Sequence, residues 1–488
     1  MSGPAPHQPA PHRARHRSVA DALDAFPLTR AQFWVMGLVM AGMFFDTLQQ
    51  DAPGAIGPML KEALGIGNDE LVTINTLTVV GGIVGRLVGG YLADRKGRRF
   101  SLSFNLLVYT IGGLLSAFAP NYPIMLISRF IVGIGLGGEF TIGLTLVSEI
   151  VATKRRGTAV GSMGFASGGI GNFAAYGLFV VVLGPLNNVL GGNLLSWRWL
   201  LGFLAIPALL VVVYRRYLPE SPRFLVDSGR IHEANRALTI LASDNIRKRP
   251  SDAEVVPFLD TSSSAEVQPH VSPTEIFKRP LLKRTVAISV ASWMAFGAQV
   301  TLLVLLPTLL VSKGYSVSSS LVFTLIMYAG SMFGALAAAL VAAKLPRRTT
   351  VLIAGVLGCL SAIAFAELAN GPAAILIYGS VFQFFSLFLN STLALWSPEL
   401  YPTRVRALGC STVNGVGNIA GALMPFAAVF AFDHAGVAGV FLMIAAMYTI
   451  LAVSARFAPE TLGRSLEDIN EQQETAPAAA PAPEANTA

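Results

Sequence analysis

Four ionisable residues are placed deeply within long apolar runs of this sequence: Asp46, Arg86, Arg129 and Glu139. A charge within the hydrocarbon of a bilayer is costly unless it is paired or hydrated, so each is a candidate functional group. Counted at about 1.5 Å per residue, Asp46 falls about five residues from one end of the first run, and Arg129 about seven from the matching end of the fourth. Arg86 and Glu139 fall about fifteen and seventeen residues in from that same side. This spacing predicts two acid–base pairs at two depths, Asp46 with Arg129 and Arg86 with Glu139. Such pairs could relay a proton, or an arginine could receive the carboxylate of a solute. The bland alternatives are a static ion pair and an Arg86 that snorkels to the nearby surface. The second half of the chain offers neutral groups instead: Gln299, Tyr328, Gln383, Asn390, Asn414 and Asn418, with Trp293, Phe296 and Trp396 as walls. Asn172 belongs to the fifth run, in GGIGN. Any one of these is as readily helix-packing glue as ligand contact. All six histidines lie outside the apolar runs, so a proton carrier within the membrane would be a carboxylate.

The elements that must position these groups are membrane helices. Hydrophobic residues make up 53% of the chain and charged residues 13%, about half the share of a soluble domain. Runs of spanning length fall near 31–51, 71–93, 101–119, 122–149, 158–183 and 198–217. A second six fall near 285–311, 321–343, 349–369, 373–396, 407–431 and 436–457. The fold expected is therefore all-α and polytopic, twelve helices in two six-helix halves at 30–217 and 285–458. Residues 1–29 read as a disordered basic tail without a signal peptide, 218–284 as a polar central loop, and 459–488 as a tail that is low-complexity after about 470. The basic residues cluster at alternate helix ends, which predicts cytoplasmic termini in a cell membrane. That clustering also argues against nucleic acid as the partner of the net +7 charge. Cys359 and Cys410 lie singly in apolar runs, so neither a disulfide framework nor a metal site is expected. No nucleophile or cofactor motif stands out, and no enzymatic activity or cofactor is expected.

The loop after the second run has a distinctive pattern. Gly90–Tyr–Leu–Ala–Asp94–Arg95–Lys–Gly97–Arg98–Arg99 puts an acid, a turn glycine and paired arginines directly after a glycine-rich helix (Gly82, Gly85, Gly89, Gly90) suited to close packing. Glu149, Thr153 and Arg156 after the fourth run recur 250 residues later as Glu399, Thr403 and Arg406. Pro219–Glu220–Ser221 recurs 240 residues later as Pro459–Glu460–Thr461, so the two halves are related repeats. The signature loop is degenerate in its second copy, Ala343–Lys344–Leu–Pro–Arg347–Arg348, where Lys344 replaces the acid.

These motifs, with PESPRF at 219–224, PELYPTRVRALG at 398–409 and PETLGRSLEDI at 459–469, resemble those of the major facilitator superfamily. The nearest likeness is to its sugar-porter branch and that branch's organic-acid relatives. The resemblance implies a twelve-helix fold and alternating access. It implies that Asp94, Arg98, Glu149, Arg156, Glu220, Glu399, Arg406 and Glu460, with Gly90, Arg95 and Gly97 of the loop, form a cytoplasmic network that latches the halves together. It also makes Asp46 the proton acceptor and Arg129, in Arg129–x–x–x–Gly133–x–Gly135–x–Gly137, the cation that tunes it. Glu139, in Gly137–Gly138–Glu139, looks more like the organic-acid and nicotinate-type relatives. The hydroxyl-binding run of sugar porters is replaced by Gly297–Ala298–Gln299–Val300–Thr301–Leu302. The function expected is proton-coupled transport of a small organic anion by a monomer in the lipid bilayer. A sugar or polyol symporter, or an exporter, is the alternative, and a transporter-like nutrient sensor is a more distant one.

Overall fold

A computed structural model describes residues 18–206, 208–243, 246, 250–259, 274–278, 281–341, 344–402 and 405–462. A short helix α1 (Val19–Asp24) precedes five long elements: α2 (Arg30–Leu64), α3 (Asn68–Lys96), α4 (Arg98–Ala117), α5 (Tyr122–Ile150) and α6 (Arg156–Gly164). α6 continues through a π-helical segment, Phe165–Gly171, into α7 (Asn172–Leu183). Next come α8 (Ser196–Phe203), α9 (Ala208–Tyr217), α10 (Pro222–Asp227) and α11 (Ile231–Leu241). The second half contains α12 (Leu281–Ser312), α13 (Val317–Val341), α14 (Arg347–Leu368), α15 (Pro372–Trp396) and α16 (Arg406–Ala455).

Among the described residues, eleven helical stretches are long and apolar enough to cross a membrane. The last, Leu408–Ala455, has 48 residues and would be about 72 Å long, more than twice a bilayer's hydrocarbon thickness. Gly436 breaks it with φ 61° and ψ −155°, so it holds the two spans expected near 407–431 and 436–457.

Helix α2 departs most from expectation. The first span was expected to end near residue 51, but the helix runs on to Leu64 through Pro53 and Pro58. Each proline removes one backbone N–H, which a helix tolerates where another donor reaches the freed carbonyl. The N-terminal tail also departs from expectation. Residues 18–29 are ordered, because α1 buries Val19, Ala22 and Leu23 and Asp24 accepts the Thr153 N–H at 2.7 Å. Thr29 donates to the Leu241 carbonyl at 2.5 Å, and Gln32 to Ile150 at 2.7 Å. The central loop likewise holds structure: the side-chain amide of Asn235 on α11 pairs with both backbone groups of Leu259. The tail expected after residue 470, and Thr403, lie outside the described residues.

The chain divides into two compact units, 1–52 with 77–167 and 189–267, and 53–76 with 168–188 and 268–488. Within the first, glycines set the spacing of α3, α4 and α5. A Cβ on Gly81, Gly85, Gly133 or Gly137 would collide with the backbone of the facing helix, and one on Gly135 with Tyr109 of α4. Gly90, expected to join this packing, faces open space instead. Gly97 is needed for a different reason. Its φ is 93°, and the Glu220 carboxylate occupies the place of a Cβ. We expect Gly97→Ala to destabilise the protein by about 1–3 kcal/mol, while Gly90→Ala leaves the apparent unfolding temperature of purified protein unchanged. Equal shifts in the two variants would contradict this assignment.

Candidate functional site

Glu139 lies on α5 and Asp46 on α2, both about 1–8% exposed. Their carboxyl groups face each other at hydrogen-bond range. A Cβ added at Gly42, one turn before Asp46, would strike both Oε1 of Glu139 and the Tyr214 hydroxyl. Gly42 thus opens the face of α2 on which the Glu139 carboxylate rests. Tyr214 of α9 donates to the Leu38 carbonyl at 2.9 Å, and Tyr109 of α4 stands close enough to feel both acids. Among the described residues, no oxygen of Asp46 or Glu139 has a donor partner. The site is a carboxyl pair walled by two tyrosines.

This arrangement corrects the pairing expected from depth. Arg129 is 1% exposed, and its Nη2 donates to the backbone carbonyl of Gln49 at 2.8 Å, its Nη1 to the Gln49 side-chain oxygen at 3.3 Å. The Gln49 carbonyl is available because its helical partner, the N–H of residue 53, is missing in proline. Arg129 therefore completes the broken helix, and Asp46 pairs with Glu139. The depth count failed because α2 is about thirteen residues longer than its first apolar run, which puts Asp46 about 27 Å from the Leu64 end. The Arg86–Glu139 pair does not form either: Arg86 is exposed on α3, amid Val84, Leu87 and Val88.

The neutral candidates belong to the second unit. Gln383 is buried, and Ser331 donates to its side-chain oxygen at 3.4 Å. Asn390 gives its amide to the Ala295 and Ser386 carbonyls at 3.3 and 3.0 Å, which makes it helix-packing glue. Asn418 donates to the Asn414 carbonyl one turn earlier at 2.6 Å; Asn414 is exposed and Gln299 half-buried. Asn172 is buried at the start of α7, after the π-helical segment. Tyr328 stacks on Tyr176 of α7 at 4.8 Å between ring centres. Trp396, expected as a wall, is fully buried core.

Within each half the basic-loop motifs form arginine–glutamate contacts of one kind. Arg98 grips Glu149 through two bonds of 3.1 and 3.2 Å and lies 3.3 Å from the exposed Asp94. Glu220 accepts the backbone N–H of Arg98 at 2.7 Å, capping the start of α4. Burial pushes the Glu220 carboxyl up, against the pull of the Ser221, Arg99 and Arg98 N–H groups and the Arg98 charge. In the second half Arg347 grips Glu399 at 3.2 and 3.0 Å, and Glu460 accepts the Arg347 N–H at 2.7 Å. Arg347, noted in the sequence only as part of a degenerate loop, is thus a site residue, and Arg347–Arg348 stands 249 positions after Arg98–Arg99. Arg95 lies over the Tyr91 ring, Arg156 is half-buried at the start of α6, and Arg406 donates to the Tyr401 carbonyl at 3.4 Å. Gln49, Tyr109 and Tyr214 were missed too; Pro53, four residues after Gln49, was the available signal for the first.

Comparison with known proteins agrees with this architecture. The family model described as "Sugar (and other) transporter" matches residues 67–472. The niacin transporter NiaP of Acinetobacter baylyi is 29% identical over 452 residues, 92% of this chain and 98% of that one. The inner membrane metabolite transport protein YdjE of Escherichia coli is 28% identical over 473 residues, 94% and 99% of the two chains. Among solved structures, the xylose transporter XylE from E. coli superposes with a TM-score of 0.69 at 18% identity, covering 89% of this chain and 99% of that one.

The bond between Arg129 and the proline-released carbonyl can be tested by a double-mutant cycle. Arg129→Met leaves the Gln49 carbonyl unsatisfied and should cost about 1–3 kcal/mol. In a Pro53→Ala background the alanine N–H takes that carbonyl, and the penalty should shrink by about 1 kcal/mol. Additive shifts in the unfolding temperature across the four variants would show that Arg129 and Pro53 act separately.

Proposed function

Because this chain belongs to the sugar (and other) transporter family of the major facilitator superfamily, as a multi-pass membrane transporter and not an enzyme, we propose that it couples proton entry to uptake of a small organic anion. The observation that carries this reading is the Asp46–Glu139 pair. Two carboxylates at contact distance repel unless a proton lies between them, and among the described residues no hydrogen-bond donor reaches either one. Loading the pair with a proton removes a buried charge, and a carrier with less buried charge crosses more readily between its inward- and outward-facing states. The clustering of basic residues in alternate loops supports cytoplasmic termini and a carrier in the cell membrane.

An anion is favoured over a sugar by the polar groups of the second half. A sugar needs many free hydrogen-bonding groups, yet Asn390 is spent on backbone carbonyls and Gln383 is engaged by Ser331. The niacin transporter relative points to the same class, an aromatic ring bearing one carboxylate. We assign the substrate carboxylate to Arg86, the cation within the apolar run of α3.

Radiolabelled nicotinate in proteoliposomes is the direct test, with uptake driven by a pH gradient measured beside counterflow. Asp46→Asn should keep counterflow and lose accumulation, and Glu139→Gln should come close to the same phenotype because the two acids form one site. Concentrative uptake by Asp46→Asn would remove the carboxyl pair from coupling. Separately, Arg86→Gln should raise the KM for nicotinate at least tenfold, the equivalent of about 1.4 kcal/mol, and Gln299→Ala far less. Equal effects at the two positions would favour a neutral, hydroxylated substrate.

A further inference from the structure

A second buried carboxylate lies on α2, and neither the pairing at Asp46 nor the charge network at the basic loops makes use of it. Asp51 is 1% exposed, and among the described residues its Oδ2 has neither solvent nor a hydrogen-bond partner. It stands five residues after Asp46, about 7.5 Å along α2 and about 140° around it, so it cannot join the Asp46–Glu139 contact. On its own helix the other charged groups near it are Asp46 and Lys61, and Lys61 is hydrogen-bonded to Asn68 at 2.7 Å. Of the titratable groups on the helices that meet α2 in the same unit, Arg129 bonds Gln49, and Tyr109, Tyr214 and Glu139 gather about Asp46. A bare carboxylate with no compensating group is strongly disfavoured in such a place, whereas the neutral acid is tolerated.

We infer that Asp51 is a second proton-binding site, distinct from the Asp46–Glu139 pair, that exchanges its proton as α2 bends at Pro53. The carboxylate takes one proton from water to become the neutral acid, and returns it to water when the bend re-exposes the group. Pro53 lies two residues further on and is one of two prolines inside α2, with Pro58; each removes a regular helix hydrogen bond, and the helix can bend there. The inference deepens the proton-coupled reading above and rests on it for its role in transport, but proton binding by Asp51 can be measured without any transport.

Infrared difference spectra of protein in lipid vesicles, recorded between high and low pH, report the carbonyl stretch of each protonated carboxyl. Asp51→Asn should remove one component of that band, while Asp46→Asn and Glu139→Gln remove or shift a different one. Asp51→Glu keeps the carboxyl and should move the component rather than delete it; this variant decides the matter should the asparagine variant fail to fold. A spectrum unchanged in Asp51→Asn, or unmoved in Asp51→Glu, overturns the assignment. In proteoliposomes, the number of protons entering per labelled nicotinate should fall in Asp51→Asn relative to wild type, and an unchanged ratio would overturn the coupling role. If wild-type protein moves no protons with nicotinate, the coupling reading itself fails, and the infrared result still decides whether Asp51 binds a proton.

Discussion

A proline inside a helix leaves the carbonyl four residues earlier without its donor, and in a membrane that carbonyl has no water to turn to. In this protein the arginine that satisfies it is the buried Arg129. The same contact settles two questions at once, how α2 survives Pro53 and where a buried guanidinium finds acceptors. It also leaves Asp46 to a different partner. The second half repeats the device in a different form. Pro307 releases the carbonyl of Leu303, and that oxygen sits where a Cβ on Gly54 would be. The two prolines are 254 positions apart, close to the offset of the loop motifs, so equivalent helices carry equivalent breaks. One freed carbonyl is met by a cation and the other by the bare Cα of a glycine.

The carboxyl pair follows from that arrangement. A site with an acid and a base in contact is neutral without a proton. A site with two acids in contact is neutral only when fully protonated, and carries less repulsion with one proton than with none. The expected Asp46–Arg129 contact would have supplied a fixed cation; the Asp46–Glu139 contact supplies none. Tyr109 and Tyr214 place polar hydroxyls beside the acids without adding charge.

At the other end of each half, the arginine–glutamate pairs hold the glycine turn and the helix starts in place. Arg98 with Glu149 and Arg347 with Glu399 use the same two-bond geometry, and Glu220 and Glu460 cap the helices those arginines begin. The repeat survives although the second loop has lost its acid, because the bidentate partner of the arginine is the glutamate a helix away. Asp94 is largely exposed and adds a single 3.3 Å contact. Retention of Arg347 and Glu399 was enough to keep the motif's geometry.

The sequence by itself determined the class of the protein. Apolar runs of membrane length, basic clusters at alternate ends and two repeated sets of loop motifs are local or periodic signals, readable without knowing what touches what. It also singled out Asp46, Arg129 and Glu139, since a charge in an apolar run is visible in one dimension. Which of them meet was decided only by tertiary structure. The run through residue 51 looked complete because QQDAP is polar and ends in proline, yet neighbouring side chains satisfy that break and the helix continues. That extension shifted every depth counted from its end, separated Asp46 from Arg129, and turned Asp51 from a helix terminus into a buried acid. Hydrogen bonds from other helices decide where a membrane helix can tolerate a proline, and no pattern within the helix itself encodes them.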